Sequence, residues 1–300
     1  MKSLIVSLLV VVGLGTCAVP SYALTWDAYV SSTGTDTGSC FRPTPCATFS
    51  YALTQVSGGG VIHVVDSGAY GAATIAHSVT IDGGGLATTL AGGGFSITLA
   101  AQLAVSAAAT DVVTIQNFTM SGVGAAPSAV AVASVGALHV QNCNFVRYSG
   151  AAIDFRATGG LLDMKDVTIT DIQGGNGIYV GNGRAMLDHV SISRTQTAVL
   201  SAGAATVFIT HSTANGNGSG FVAAYGPTAE LHIDDCTMTN NQWAVVAGQG
   251  ATAYVSRSSL TNNFIVALFN DGASHLISYG DNRFASNASD GAFTGMAAVK

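Results

Sequence analysis

One short pattern of apolar and polar positions recurs along most of the chain. It reads apolar-x-polar-x-x-apolar, and its polar residue returns every 22 to 25 positions. The residues that mark the repeats are Asn117, Asn142, Asp166, His189, His211, Asp235, Arg257 and, more loosely, Tyr279. A period this regular indicates stacked copies of one structural unit, because independent domains would not keep it.

Each repeat contains three short segments that look like β-strands. In "LHVQN" (138–142) and "LHIDD" (231–235), apolar side chains alternate with polar ones, as in strands that bury one face. A second apolar pair, such as Cys143 and Phe145, and a third apolar cluster follow. Three strands in such a short repeat predict an all-β fold, a right-handed parallel β-helix of about 8–10 coils. The framework of leucine-rich repeats is missing, and aromatic residues (8%) are too few for a membrane barrel.

Equivalent residues of successive coils are expected to stack directly over one another, about 4.8 Å apart. Valine, isoleucine and leucine columns then fill the interior. At one turn the pattern predicts amide ladders, with Asn240 over Asn262 and Asn241 over Asn263.

The two ends of the chain differ from the repeats. Residues 1–23 combine Lys2, an apolar run too short to span a bilayer and a terminal Ser-Tyr-Ala, as in a secretory signal peptide. We therefore expect one β-helix domain over residues 24–300, secreted to the periplasm or outside the cell, with no transmembrane segment in the mature chain. An N-terminal cap over 24–60 should include a short helix, with Thr44 as N-cap and Pro45 as its first residue, and 286–300 should cap the other end.

The amino-acid composition limits the classes of partner that the protein is expected to bind. Only 9% of residues are charged, and removal of Lys2 with the signal leaves nine basic against sixteen acidic residues, a net charge of −7. Basic clusters are absent from the sequence, so no nucleic-acid partner is expected.

Four cysteines remain in the predicted mature chain. Cys40 and Cys46 bracket "FRPTP", and an oxidising compartment predicts a local disulfide between them. Cys143 and Cys236 occupy equivalent apolar positions in two distant repeats, which predicts buried thiols and no disulfide between them.

The N-terminal stretches "AYVSSTGTDTGSCFRPTPCATFSYAL", "GGGVIHVVDSGAYG" and "SVTIDGGG", with the later coils, carry a family resemblance over about residues 27–285. The chain resembles secreted bacterial right-handed β-helix repeat proteins of the pectin-lyase-like superfamily. That resemblance implies the fold. It leaves the activity open, because the superfamily includes lyases, hydrolases, esterases, phage tailspikes and adhesins.

The first strand of each coil should present polar residues outward, on both sides of an inward column. The inward column is predicted as Val140, Met164, Leu187, Ile209, Ile233, Val255 and Ile277. One outward column is then His139, Asp163, Met186, Phe208, His232, Tyr254 and Leu276, and the other is Gln141, Lys165, Asp188, Thr210, Asp234, Ser256 and Ser278.

This outward face suits a sugar chain. Asp163 or Asp188 is a candidate acid or base, and Lys165 is a candidate to neutralise a uronate or an enolate. The candidate substrate-binding residues are His139, Gln141, Phe208, His232, Asp234 and Tyr254. The alternative is that Lys165 simply pairs with the two carboxylates on a solvated face.

The repeat-marking column offers metal ligands. The candidates are Asp166, His189, His211 and Asp235. Two histidines one coil apart suit a transition metal, and carboxylates such as Asp163, Asp166 and Asp188 suit Ca²⁺; no other cofactor is expected. The alternative is a structural ladder, in which His and Asp cap backbone groups as Asn does.

The sequence thus predicts an exported protein that engages polysaccharide, with lyase or glycoside hydrolase activity as one hypothesis. The alternative is a non-catalytic structural, adhesin or surface-binding protein. "LDHVSIS" (187–193) resembles a pectate lyase stretch without its accompanying residues, and the polygalacturonase motifs are missing. Spacings of 22 to 25 residues leave little room for loops that would wall in a substrate.

Overall fold

The computed structural model describes residues 24–84, 96–99, 103–122 and 127–297. The predicted signal peptide, residues 1–23, lies outside the described residues. Within the described part, the chain forms one short α-helix and otherwise parallel strands, most of them short.

The elements follow one another as short segments separated by tight corners. The N-terminal elements are β1 (Thr25–Val30), α1 (Phe49–Gln55), β2 (Val56–Val64), β3 (Ala73–Ile75), β4 (Val79–Asp82), β5 (Ser96–Leu99), β6 (Leu103–Ser106), β7 (Val112–Gln116), β8 (Thr119–Gly122) and β9 (Ser128–Ser134). The central strands are β10 (Ala137–Gln141), β11 (Asn144–Val146), β12 (Ala151–Phe155), β13 (Leu161–Thr170), β14 (Asn176–Ser193), β15 (Thr197–Thr210), β16 (Thr213–Asn215) and β17 (Ser219–Ala224). The C-terminal strands are β18 (Glu230–Asp234), β19 (Thr237–Thr239), β20 (Trp243–Ala247), β21 (Thr252–Ser256), β22 (Ser259–Thr261), β23 (Val266–Asn270), β24 (His275–Ser278), β25 (Arg283–Ala285) and β26 (Gly295–Met296).

The strands stack into three parallel faces around one apolar interior. Face 1 is formed by β1, β2, β4, β7, β10, β13, β14, β15, β18, β21, β24 and β26. Face 2 is formed by β5, β8, β11, β13, β14, β16, β19, β22 and β25, and face 3 by β3, β6, β9, β12, β14, β15, β17, β20 and β23. The long strands β13, β14 and β15 continue around corners and so belong to more than one face. The result is an all-parallel β-solenoid of about nine turns, which confirms the predicted fold.

Face 1 keeps a strict register from coil to coil. Met164 pairs with Val140 on one side and Leu187 on the other, and all three are buried, while their neighbours such as Lys165 point outward. The predicted inward and outward columns are therefore correct over most of the face.

The prediction is wrong for the last of these coils. Ser278 pairs with Val255 in the inward column, Leu276 is buried, and Ile277 takes the outward position beside Tyr254. One extra residue enters at the preceding turn: the Asn263 side chain stacks on Asn241, 22 positions earlier, whereas Val266 already pairs with Trp243, 23 positions earlier.

The residues that mark the repeats turn the corner between face 1 and face 2. Asn117, Asn142, Asp166, His189, His211, Asp235 and Arg257 all have φ between 46° and 62°. Asn, Asp and His tolerate this left-handed conformation better than most residues, because their short polar side chains bond locally. Backbone geometry at the corner thus accounts for most residue types in the repeat. The same conformation recurs at the next corner, where Arg194 and Asp171 stack as an ion pair.

A buried asparagine ladder runs beside that second corner. The Oδ1 atom of Asn241 accepts hydrogen bonds from the backbone N and from Nδ2 of Asn217, both at 3.0 Å. The Oδ1 atom of Asn263 accepts from the backbone N and from Nδ2 of Asn241 in the same way. This confirms the predicted stacking of Asn241 over Asn263. Asn240 instead donates to the side chain of Asn215.

The helix α1 covers the N-terminal end of the interior. It buries Phe49 and Leu53, and it begins after Thr48, whose hydroxyl accepts from the backbone N of Tyr51 at 3.1 Å. The predicted start at Thr44 and Pro45 is wrong. Cys46 forms a strand-like bridge with Val30, and Asp36 binds the next two backbone N–H groups, which keeps this stretch extended.

The four described cysteines divide into two kinds. Cys40 and Cys46 form a disulfide beneath α1, with their Cα atoms 5.0 Å apart. Cys143 and Cys236 are free and buried, and burial raises the pKa of each thiol to about 12. The one helix of the described residues is too short to cross a membrane.

Candidate functional site

A depression on the outer surface of face 1 collects most of the predicted catalytic residues. Its volume is about 400 Å³. It is lined by Gln141, Asp163, Lys165, Met186, Leu187, Asp188, Phe208, Thr210 and His211. Register explains the grouping, because Lys165 lies between Gln141 and Asp188 in adjacent strands and Asp163 lies two positions earlier on the same strand. The structure therefore brings together Asp163, Lys165 and Asp188.

Histidine side chains lie at hydrogen-bond distance from both carboxylates of this depression. Asp163 Oδ2 lies 3.0 Å from His139 Nδ1. Asp188 Oδ1 lies 2.8 Å from His211 Nδ1, and Asp188 Oδ2 lies 3.0 Å from His189 Nδ1. Both carboxylates therefore have histidine partners rather than a lysine partner.

The ammonium group of Lys165 is exposed in the floor of the depression. Within the described part of the chain no carboxylate forms an ion pair with it, so the predicted pairing with Asp163 and Asp188 does not form. The ammonium group is therefore available to a ligand.

Asp188 stays ionised at neutral pH. The hydrogen bond from His211 is the largest cause, and although partial burial opposes it, further bonds from His189 and Thr210 bring the pKa of the Asp188 carboxyl to about 2. A carboxylate with so low a pKa is a poor general base and has no proton to give as an acid. Asp188 accordingly suits a binding or positioning role better than acid–base catalysis.

Replacing His211 with Ala is expected to raise the pKa of Asp188 from about 2 toward its ordinary value of 3.8. A lowered pKa stabilises the fold above the ordinary pKa, and this contribution is lost as pH falls through the folded-state value. Carboxyl ¹³C chemical shifts of Asp188, followed through an acid titration in metal-free buffer, measure the change. A titration midpoint that is the same in wild type and His211→Ala contradicts the assignment.

The predicted aromatic residues stack on one another. Phe208 and His232 have ring centroids 4.6 Å apart at 12°, and His232 and Tyr254 are 4.7 Å apart at 7°. The guanidinium of Arg184 lies 5.6 Å from the Phe208 ring centroid. Ring faces that cover each other are not free to stack on a sugar, so a glycan would meet mainly ring edges. Burial also lowers the pKa of His232, outweighing the carboxylate of Glu230.

Asp234 lies apart from the Lys165 depression. Lys165, Asp188, Thr210 and Asp234 are register partners in successive strands, which places Asp234 three coils, roughly 14 Å, from Lys165. Asp234 accepts from Ser256 at 2.6 Å and pairs with Arg257, beside a second depression of about 190 Å³. The structure thus divides the predicted substrate-binding strip in two.

The two repeat-marking histidines meet as predicted. Their rings stack with centroids 5.0 Å apart. Asp188, His189 and His211 offer ligand atoms that all lie within 4.8 Å of one another. Asp235 reaches His211 Nε2 at 3.8 Å, and Asp166 is exposed on the neighbouring coil outside this group. The carboxylate that contacts both histidine rings is Asp188, which the sequence analysis placed among the catalytic candidates.

Three residues of the region were not predicted to act at the site. Thr210 donates to Asp188 at 3.0 Å, Met186 is half exposed in the depression, and Arg184 covers the face of Phe208. The contact of Thr210 with Asp188 could have been predicted from their 22-residue offset, which is one repeat. Strand alternation had already placed Met186 in the outward column between Asp163 and Phe208, whereas the position of Arg184 over Phe208 depends on its rotamer, which the repeat pattern does not encode.

These features define a parallel β-solenoid with a polar outer strip on one face. A family model described as "right handed beta helix region" matches residues 103–289, more than half of the chain. The chain therefore belongs to the right-handed β-helix family. A search of curated proteins finds no match.

Proposed function

We propose that this protein is exported and binds polysaccharide along face 1, with the depression around Lys165 as the centre of the site. The observation that carries the proposal is the ammonium group of Lys165, which lies beside Gln141 and Asp163 and has no carboxylate partner among the described residues. An ammonium group only donates, a carboxylate only accepts, and an amide does both. Sugar hydroxyl groups, which donate and accept at once, match this combination.

The charge balance favours a neutral glycan over a uronate. One ammonium group faces two carboxylates, Asp163 and Asp188, within the same depression. An acidic sugar would have to approach a site whose formal charge is already negative when the histidines are neutral. Hydroxyl recognition carries no such repulsion.

Binding without turnover agrees best with the geometry. Asp188 is held ionised, and Asp163 is engaged by His139, so neither carboxylate resembles a free proton donor. Repeats of 22 to 25 residues also leave little room between strands for the long loops that exclude water from reacting sugars. The non-catalytic hypothesis is therefore preferred to a lyase or glycoside hydrolase.

Export is supported by two features. The N-terminal segment 1–23 has the form of a signal peptide, and Cys40 and Cys46 are joined in a disulfide, which persists in oxidising compartments. Both features support the proposed placement in the periplasm or outside the cell.

The test is a binding screen with the variant Lys165→Met, which keeps the aliphatic stem and removes the charge. Neutral glucans, mannans and xylans and the acidic polygalacturonate and alginate are compared by affinity electrophoresis. We expect a neutral glycan to bind and Lys165→Met to weaken it about tenfold or more, since hydrogen bonds to charged groups contribute about 1.5–3 kcal/mol. Arg42→Met, which removes an exposed charge near the disulfide, is the matched control and should bind normally.

Product analysis in the same reactions separates binding from catalysis. We expect no unsaturated product and no new reducing ends. Equal affinity of Lys165→Met and wild type would remove the proposed centre, and binding to none of the glycans would favour a structural role for the whole surface.

A further inference from the structure

The corner formed by His189 and His211 brings two imidazoles and one carboxylate to a single point. His189 Nδ1 and His211 Nδ1 both lie at hydrogen-bond distance from Asp188, on its two different oxygens, at 3.0 Å and 2.8 Å. The three ligand atoms lie within 4.8 Å of one another. Neutral imidazole nitrogen and carboxylate oxygen are the donors that zinc and its neighbours in the first transition row prefer.

We propose that Asp188, His189 and His211 form a binding site for a divalent transition-metal ion, with Zn²⁺ as the representative ligand. The metal site shares Asp188 and His211 with the depression around Lys165, but the two proposals depend on different groups and are tested by different variants.

The solenoid itself sets the spacing of these ligands. His189 and His211 are equivalent residues of adjacent coils, and their ring separation of 5.0 Å follows the coil spacing of about 4.8 Å. Both residues have left-handed backbones, with φ of 54° and 49°, so the corner directs both side chains the same way. Little ordering is therefore needed before an ion binds.

Small side-chain rotations complete the geometry. Two ligands on one tetrahedral zinc ion lie roughly 3.3 Å apart, given metal–ligand bonds of about 2.0–2.1 Å. His189 and His211 are half exposed, with relative side-chain accessibilities of 55% and 51%, so their rings are free to tilt toward a shared ion. With the ion bound at both Nδ1 atoms, each neutral imidazole would carry its proton on Nε2, and the ion would take the place of the two hydrogen bonds between the imidazoles and Asp188.

A second carboxylate lies at ion-pair distance from one of the ligands. Asp235 Oδ2 lies 3.8 Å from His211 Nε2, the ring nitrogen that faces away from Asp188. Carboxylates in this outer position fix the tautomer and ring direction of metal-binding histidines. Asp235, predicted from the sequence as a direct ligand, lies beyond hydrogen-bond distance and would take this positioning role once the ring of His211 tilts toward the ion. With three protein ligands on an exposed corner, the ion would keep coordination positions open to water.

The experiment titrates ZnCl₂ into the untagged, chelator-treated protein by calorimetry. We expect one-to-one binding in the micromolar range. His189→Ala and His211→Ala should each weaken it by about tenfold or more, because removing even outer-shell partners costs 10–100-fold. His139→Ala is the matched control, since His139 Nδ1 also lies at hydrogen-bond distance from an aspartate but its register partners in the adjacent strands are Thr114 and Asp163, not a second histidine.

Cu²⁺ provides a structural readout that a change in stability alone would not alter. The electron paramagnetic resonance spectrum of the Cu²⁺-loaded protein should show coupling to two imidazole nitrogens, and to one in either single variant. Circular dichroism confirms that the variants are folded. Unchanged Zn²⁺ affinity in the variant lacking both His189 and His211, or no Zn²⁺ binding by wild type, overturns the proposal. Neither result would affect the Lys165→Met glycan test.

Discussion

Replacing Asn241 with Ala is expected to lower the free energy of unfolding by about 3–5 kcal/mol, since each buried polar group left without a partner costs about 1–3 kcal/mol. Asn241 is fully buried. Its Oδ1 satisfies the backbone N–H of Asn217, and its Nδ2 donates to the backbone carbonyl of Ala214 at 3.0 Å. In the alanine variant both backbone groups lose their hydrogen-bond partner, and the interior gives water little access to replace it.

Urea-induced unfolding followed by circular dichroism measures this change. Gln242→Ala is the matched control, because Gln242 is the next residue and its side chain is exposed. Its effect should be small, since surface substitutions usually fall within about ±0.5 kcal/mol. Equal effects of the two substitutions would show that the ladder contributes nothing beyond general side-chain truncation.

Replacing Phe145 with Ala is expected to lower the free energy of unfolding by about 3–5 kcal/mol, the usual range for a buried phenylalanine. Phe145 is completely buried and lies between Met120 and Ile169 of the neighbouring coils. Coil spacing is fixed by parallel backbone hydrogen bonds on both sides, so the cavity has little freedom to collapse. The upper part of the range is therefore expected.

The same unfolding measurement applies to Phe145→Leu, which keeps most of the volume. That variant should lose less than about 1.5 kcal/mol. Comparable losses for Leu and Ala would mean that the aromatic shape, rather than the filled volume, stabilises this layer.

The fold could be predicted from the sequence because every repeat meets the same physical requirement at its corner. The marker residue at each corner needs a left-handed backbone, and Asn142, Asp166 and His189 meet that need with different side chains. A period of 22 to 25 residues then fixed the stacking, including the contact between His189 and His211.

The errors arose where the period alone carries no information. One additional residue between Asn263 and Val266 moved β24 by one position, and a single insertion in a turn leaves the apolar pattern almost unchanged. The start of α1 depended on a distant aspartate, Asp36, binding the backbone before Phe49.

The sequence also did not predict which side chains of the site pair with one another. The repeat placed Lys165 beside two carboxylates, yet His139 from the same column binds Asp163, and His189 and His211 from the adjacent corner bind Asp188. Such competition depends on rotamers, which strand alternation does not specify. Placement on the face was therefore predictable, and side-chain pairing was not.

The two unpaired thiols among the described residues, Cys143 and Cys236, lie four repeats apart, and each is about 3% exposed. A thiol-specific alkylating reagent can reach either sulfur only when the surrounding coils open. The rate at which each becomes modified therefore reports how often its own section of the solenoid separates. Mass spectrometry of the two peptides would show whether the molecule opens as one unit or frays inward from an end, without any engineered probe.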